Sequence, residues 1–387
     1  MALKLLILEF KGFGLKKFIF YMNLINKHEK HEKNVNLKKL VNPEKAILPY
    51  CERKYETACP PFSVELHLTS FCNYNCCHCS YQNRRSKHMV VNDTTIDMLV
   101  NDIVSMGVKG VYWSGGGEPT TIKNFSKYIQ KIANSNTEQA LITNGILLNE
   151  QLMSQLVQFN YIAISFQASS NEIYETITGS NTKDKLYSNI KTLRSILKET
   201  VLGARCVINR YNYKEIANIY NDAKELGFDY IIFIPAIDYE GRGNIELNGE
   251  EKEFLREEIR NIKLYLNDSF TNLVSIIDRG VSYYKKDASG GYPCYANNMR
   301  ATAFVNYDGG VWLCQPHIGN SRYSIGNIYE SRFWEIWNSE RHSKVIELLD
   351  IEHSAGNCKS CRSIAYNRAI QKFIQSGEGE SFYDPFL

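Results

Sequence analysis

A chain of 387 residues, 44% hydrophobic and 22% charged, has room for one large α/β domain and a smaller one, and wholesale disorder is excluded. A net charge of +3 makes no general case for a nucleic-acid partner, although residues 1–60 hold 12 Lys/Arg against 6 Asp/Glu. Eleven cysteines are about 3% of the chain, far below the roughly 8–10% of a disulfide scaffold, and their grouping into short clusters points to metal instead.

The opening segment, MALKLLILEFKGFGLKKFIFYMNLI, is greasy but interrupted by Lys4, Glu9, Lys11, Lys16 and Lys17. No run of 18 uncharged apolar residues occurs, so no spanning helix is expected. Without a small-residue cleavage site the segment does not read as a signal peptide. Docking on the protein itself is the expectation and association with a membrane surface the alternative, since Gly12 and Gly14 weaken a continuous helix. Residues 26–47 form a polar connector in which His28 and His31 read as surface histidines, and Cys51 and Cys59 follow with no partner at useful spacing.

From residue 62 onward, short strand-like runs alternate with helical patterns. VELHLT (64–69), GVYWSG (110–115), QALITNG (139–145), YIAISFQ (161–167), GARCVIN (203–209) and DYIIFIPA (229–236) read as strands. Residues 94–106, 123–134, 149–159, 184–198 and 214–226 read as helices, several of them ending near Gly. Alternation of this kind predicts parallel βαβ units with right-handed crossovers, and six such units curl into a full or partial barrel. Chemistry then belongs at the C-terminal ends of the strands. Residues 244–283 read as a charged helical bridge, and beyond about residue 290 Gly, aromatics and the last four cysteines mark a second small domain. The expected division is a basic extension (1–60), a barrel (61–243), a bridge (244–290) and a small domain (291–387).

Directly after VELHLT, the run SFCNYNCCHCSY places Cys72, Cys76 and Cys79 in a C-x3-C-x2-C array. Three thiolates on one short loop can hold three irons of a [4Fe–4S] cubane and leave the fourth iron open to chemistry. A structural zinc site is closed by four ligands. Cys77 and His78 are available as a fourth, but adjacent residues rarely reach one ion together. The second strand ends in Gly115, Gly116, Gly117, Glu118 and Pro119, where glycines let the backbone approach a ligand closely. Farther on, Cys294 is followed by 14 residues, Gly309, four residues and Cys314, and then by Cys358 and Cys361 as C-x2-C. Four thiolates can hold one zinc or one [4Fe–4S] cluster, and spacing alone leaves both open.

The cysteine loop after the first strand and the GGGEP turn after the second resemble the radical S-adenosylmethionine (radical SAM) superfamily. C-x14-G-x4-C followed by C-x2-C, with IGNIYESRFWEIWNSE bearing Trp334 and Trp337 between them, resembles the SPASM/twitch extension of that superfamily. No cysteine follows Cys361, which is closer to the shorter twitch form with one auxiliary cluster, as in 2-deoxy-scyllo-inosamine dehydrogenase. The matches cover roughly residues 62–370.

The resemblance implies a partial (β/α)6 barrel with a small C-terminal iron–sulfur domain. It implies a SAM-binding [4Fe–4S] cluster on Cys72, Cys76 and Cys79 and an auxiliary [4Fe–4S] cluster on Cys294, Cys314, Cys358 and Cys361. SAM bound at the open iron is cleaved reductively, and the resulting 5′-deoxyadenosyl radical removes a hydrogen atom from an unreactive C–H bond. Gly115, Gly116, Gly117 and Glu118 form the implied SAM turn. His78 stands where the family often has an aromatic against adenine, and Asn144 lies in the TNG that closes the third strand. Strand alternation turns Ser165 and Gln167, and likewise Arg205 and Asn209, toward the barrel lumen, where Ser165 is a SAM-contact candidate; it turns Cys206 outward. The bland reading of each is a hydrogen-bonded strand residue. Cys77 and Cys206 remain as spare thiols, no residue is marked as the hydrogen-atom donor or base, and Asp238, Tyr239 and Arg242 stand at the barrel mouth.

An oxygen-poor, reducing cytoplasm and a flavodoxin- or ferredoxin-type electron donor go with these cofactors. The first functional expectation is oxidation or epimerisation of a sugar, aminocyclitol or related small molecule. The alternative is a maturase acting on a ribosomally made peptide, and the third, from another class, is a zinc-stabilised binding protein without chemistry.

Overall fold

The computed structural model describes residues 60–81, 88–238, 245–262, 270–278, 291–298, 300, 302–358, 361, 363 and 367. The N-terminal extension, Cys51, Cys59, Tyr239 and Arg242 lie outside the described residues. Six strands alternate with helices as their period-2 and period-3.6 patterns require: β1 (Ser63–His67), α1 (Asp93–Met106), β2 (Gly110–Trp113), α2 (Phe125–Ala133), β3 (Glu138–Thr143), α3 (Glu150–Leu156), β4 (Tyr161–Ser165), α4 (Asn171–Thr178), α5 (Lys183–Ile196), β5 (Val201–Ile208), α6 (Ile216–Glu225) and β6 (Tyr230–Pro235). The chain continues through α7 (Gly249–Ile262), α8 (Leu273–Asp278), α9 (Tyr295–Asn298), β7 (Thr302–Asn306), β8 (Gly310–Trp312), β9 (Ser324–Asn327), α10 (Phe333–Trp337) and α11 (Glu340–Ser354). Among the described residues no helix is long and apolar enough to cross a membrane.

All nine strands form one sheet in the order β6-β5-β4-β3-β2-β1-β7-β8-β9. The first six are parallel neighbours in chain order, the arrangement of a partial barrel. β7 lies parallel to β1, with Ser63 opposite Thr302 and His67 opposite Asn306, and β8 and β9 add antiparallel. The C-terminal strands thus continue the sheet from the barrel's first strand.

Strand parity divides the side chains cleanly. Val64, Leu66, Val111, Trp113, Leu141, Ile162, Ile164, Leu202, Ala204, Ile231, Phe233 and Val305 face the helices in one continuous core. The alternate residues line the lumen in rows set by the register. Glu65, Tyr112, Ala140, Tyr161, Val201 and Phe304 share one row. Ile142, Ala163, Gly203 and Tyr230 lie above it, and Ser165, Arg205 and Ile232 above those. Tyr161 and Tyr230 stack with centroids 6.2 Å apart, and the Tyr230 ring lies where a side chain at Gly203 would stand.

The barrel and the C-terminal helices are joined by a carboxylate. Asp102 on α1 is nearly fully buried; it accepts from Arg332 Nε at 3.1 Å and from the Phe333 backbone N–H at 3.0 Å, and a second guanidinium nitrogen of Arg332 also reaches it. Asp102 thus satisfies an open donor in the first turn of α10. Asp102→Ala strands the buried Phe333 N–H, at a cost of about 1–3 kcal/mol. The expected result is a lower thermal midpoint for the anaerobically loaded protein, with Asp102→Asn falling between; an unchanged midpoint would show that the contact contributes nothing.

Candidate active site

The loop that carries the first three cysteines leaves the C-terminal end of β1 and is held from three sides. Beneath it, Asn75 N–H donates to Thr178 O at 2.9 Å and Cys77 N–H to Ile177 O at 2.9 Å, so the loop rests on the last turn of α4. The Tyr74 hydroxyl bonds Tyr174 and Thr182, each at 2.7 Å. Beside it runs the glycine turn: Gly117 N–H donates to Thr69 O at 2.6 Å and Glu118 N–H to Phe71 O at 2.8 Å. This contact requires glycine. Gly116 has φ +73° and a Cβ there would stand 2.5 Å from the Thr69 carbonyl, while a Cβ at Gly117 would overlap the Phe71 carbonyl. Gly117→Ala is accordingly expected to displace the cysteine loop. Iron retained at the first site and SAM affinity should both fall, and wild-type values for both would remove the close approach from the argument.

Within the loop, Cys79 N–H donates to Cys76 O at 3.1 Å, bringing those residues round one turn, and Tyr74 N–H donates to Cys72 Sγ at 3.4 Å. All three thiols are half-buried. Among the described residues no three His, Cys, Asp or Glu side chains are gathered tightly enough to hold a single metal ion. A backbone cradle closed to side chains, N–H donation to sulfur and three half-exposed thiols fit a three-thiolate cluster site. His78 adds a second indication: its Nδ1 is buried without a hydrogen-bond partner. Burial holds the imidazole neutral, with its pKa down to about 4. An orphaned ring nitrogen beside Cys79 fits a position that faces a bound group.

Glu118 holds the turn. Its nearly fully buried carboxylate accepts from Thr143 Oγ1 at 2.6 Å, Thr120 Oγ1 at 2.7 Å and Thr120 N–H at 3.2 Å on one oxygen, and from Asn144 N–H at 2.8 Å on the other. Burial pushes its pKa up and these donors pull it back down. The side chain thus ties β2 to β3, and any SAM contact at this residue falls to its backbone. Asn144 extends the tie, its Nδ2 donating to Asn73 Oδ1 in the cysteine loop at 2.8 Å and its Oδ1 accepting from Ile146 N–H at 3.2 Å. Asn73 does not stand out in sequence, and Thr143 does so only as part of TNG, because their role lies in partners brought by other strands.

Ser165 ends β4 half-buried on the lumen face, opposite Arg205. Asn209, expected to point inward, instead closes its own turn: its N–H donates to Asn212 Oδ1 at 2.8 Å and its Oδ1 accepts from Tyr211 N–H at 2.9 Å. β5 ends at Ile208, so strand parity no longer governs it. Cys206 faces the outer core, where burial drives its thiol pKa far up, which leaves it inert. Asp238 N–H donates to Glu246 at 2.7 Å.

A buried polar chain, legible only as the alternation of Glu65 and His67 in VELHLT, links the lumen to the cysteine loop. His67 is fully buried, with Nε2 2.8 Å from Glu65 Oε1 and Nδ1 2.9 Å from the Tyr81 hydroxyl. Gly115 lets the imidazole lie against the glycine turn.

In the C-terminal region Cys294 and Cys361 are buried and Cys314 and Cys358 half-buried. The Cys358 thiol is pushed up to about 11, first by burial and then by the neighbouring Cys294, which places those two in one neighbourhood. Cys314 precedes a turn in which His317 stacks on Tyr323 at 3.9 Å, and Tyr323 donates to Glu352 at 3.2 Å. Of the two tryptophans, Trp337 is core and Trp334 is exposed.

Residues 66–223 match the radical SAM superfamily, and residues 294–362 match SPASM, an iron–sulfur cluster-binding domain; together these spans take in more than half of the chain. The chain belongs to the radical SAM superfamily, in its SPASM-bearing group. Its cofactors are accordingly SAM, a [4Fe–4S] cluster and auxiliary iron–sulfur. It is 24% identical over 333 residues to the Fe-coproporphyrin III synthase of Methanosarcina barkeri, an alignment covering 77% of this chain and 80% of that one. The fold is similar to that of anSMEcpe with bound AdoMet and Kp18Cys peptide, with a TM-score of 0.57 and 20% identity over 80% of this chain and 89% of that one. It is also similar to Streptococcus suis SuiB bound to the precursor peptide SuiA, with a TM-score of 0.58 and 14% identity over 84% of this chain and 75% of that one.

Proposed function

We propose that Cys72, Cys76 and Cys79 hold the SAM-binding cluster and that the enzyme removes a hydrogen atom from a substrate seated in the barrel lumen. The observation that carries this reading is the locking of the cysteine loop onto the glycine turn through Gly117 and Glu118, directly at the lumen mouth. Bound there, the cluster and SAM supply the 5′-deoxyadenosyl radical. The chain's own residues position and shield it. Glu118 and Asn144 fix the turn, His78 presents a buried nitrogen, and Tyr161 and Tyr230 stack in the lumen below. Cys294, Cys314, Cys358 and Cys361 are the proposed ligands of the auxiliary cluster, which suits net oxidation of the substrate.

The lumen lining narrows the substrate class. Its half-buried residues include Tyr112, Ile142 and Ile234 beside Glu65, Ser165 and Arg205. A sugar or aminocyclitol would meet few acceptors for its hydroxyls here; a substrate with an apolar body and an anionic group facing Arg205 fits the lining better. The second reading, a peptide substrate, is favoured by solved structures of similar fold that hold peptides. A flavodoxin- or ferredoxin-type donor in the cytoplasm is part of the proposal.

The test is anaerobic reconstitution followed by SAM and dithionite, assaying 5′-deoxyadenosine with a Cys72→Ala control. Product abolished in the control supports the reading, after which carboxylated small molecules, sugars and peptides are screened by deuterium transfer into 5′-deoxyadenosine. Cluster-loaded protein that neither cleaves nor binds SAM would overturn it.

A further inference from the structure

Cys294 is buried at the start of α9, so its sulfur is served only by the groups that face it. Two amides do. Asn297 Nδ2 lies 3.3 Å from Cys294 Sγ, and Asn367 Nδ2 lies 3.6 Å from the same sulfur. Asn367 comes from beyond the last cysteine and outside the span that matches SPASM, yet it is fully buried.

The orientation of the Asn367 amide follows from its partners. Its Oδ1 accepts the Ala296 N–H at 3.0 Å, so the oxygen faces the backbone. Its Nδ2 lies 3.1 Å from His353 Nε2, and His353 Nδ1 lies 3.0 Å from the Tyr292 carbonyl. A carbonyl only accepts, so Nδ1 carries the imidazole proton and Nε2 is an acceptor. Both amide hydrogens of Asn367 are then assigned, one to His353 and one to Cys294. A flipped amide would set N–H against N–H at Ala296.

We propose that Asn297 and Asn367 tune the reduction potential of the auxiliary cluster, holding it higher through N–H···S bonds to Cys294. The inference rests on the reading of Cys294 as a cluster ligand. Reduction adds negative charge that spreads onto the ligand sulfurs, and a donor aimed at a sulfur stabilises that state more than the oxidised one. Both asparagines are positioning residues, acting through Cys294.

The experiment uses the full chain with Cys72, Cys76 and Cys79 replaced by alanine, so that the auxiliary cluster is the one remaining. Its reduction is followed by electron paramagnetic resonance against a series of set potentials. Asn297→Ala and Asn367→Ala are each expected to lower the equilibrium constant for reduction by about threefold to tenfold, tenfold being about 59 mV for a one-electron couple. Asn297→Ser, which keeps a donor, is expected to recover part of that shift. Unchanged potentials at unchanged iron content overturn the proposal; should Asn367→Ala fail to hold a cluster, Asn297→Ala decides alone. Cys294→Ala in the same background separates the failures. If its cluster survives, Cys294 is no ligand and both the ligand reading and the inference fall. If the cluster is lost but the asparagine variants leave the potential unmoved, the inference alone fails.

Discussion

Cys76→Ala will stop production of 5′-deoxyadenosine while leaving the auxiliary cluster in place. The loop that carries the three cysteines is held by local structure, through the Cys76–Cys79 turn, the Tyr74 N–H on Cys72 and the seat on α4. Among the described residues there is no stand-in: Cys77 is tied through its backbone to Ile177, and Cys206 faces the outer core. Two thiolates do not keep a cubane in place. Iron should therefore fall from about eight to about four per chain, with cleavage at background. Cys314→Ala gives the converse, the same loss of iron with SAM cleavage retained. Iron analysis and the 5′-deoxyadenosine assay on both variants check this. Cleavage retained in Cys76→Ala would move the SAM site elsewhere, and loss of all iron in either variant would mean that the two sites do not load independently.

Much of this was legible because the chemistry sits in contiguous motifs at strand ends. Six strands with period-2 alternation gave the barrel, and parity alone placed Ser165 inward and Cys206 outward. Two features escaped. α4 is short, and its pattern, NEIYETIT, is too brief to show a period, although its Ser170 N-cap and the left-handed Gly179 beyond it were readable signals. Its last turn nonetheless forms the floor of the cysteine loop. β7 escaped because its pairing with β1 joins residues 239 apart, Ser63 with Thr302, and nothing local in TAFVN names its partner. The same holds for Asn144 with Asn73 and Asn367 with Cys294. Asn73 and Asn367 are ordinary asparagines until the fold brings their partners near, whereas Asn144 already stands out through its TNG.

Glu118 holds the glycine turn with its side chain, as its place in the motif leads one to expect. In sequence the residue belongs to a ligand-binding turn; in the structure its carboxylate is taken up by Thr120, Thr143 and Asn144. Glu118→Ala leaves the donors of Thr143 and Asn144 without an acceptor in a dry site, at about 1–3 kcal/mol for each. Glu118→Gln is milder. With its oxygen toward the Asn144 N–H, the glutamine NH2 can donate to the Thr120 and Thr143 hydroxyls, which turn to accept it, and only the Thr120 N–H loses its acceptor. Because the turn also holds the cysteine loop at Thr69 and Phe71, the disturbance reaches the cluster site. The expected result for Glu118→Ala is weaker SAM binding by at least about tenfold, which is 1.4 kcal/mol or one such donor, with a lower unfolding midpoint and iron largely retained, and a smaller loss of both in Glu118→Gln. Binding is read from the change that SAM produces in the cluster's electron paramagnetic resonance spectrum. SAM affinity within about twofold of wild type at full iron loading would show that the turn is held by its backbone bonds alone, and would shift the weight of the site onto the Gly117–Thr69 and Glu118–Phe71 contacts.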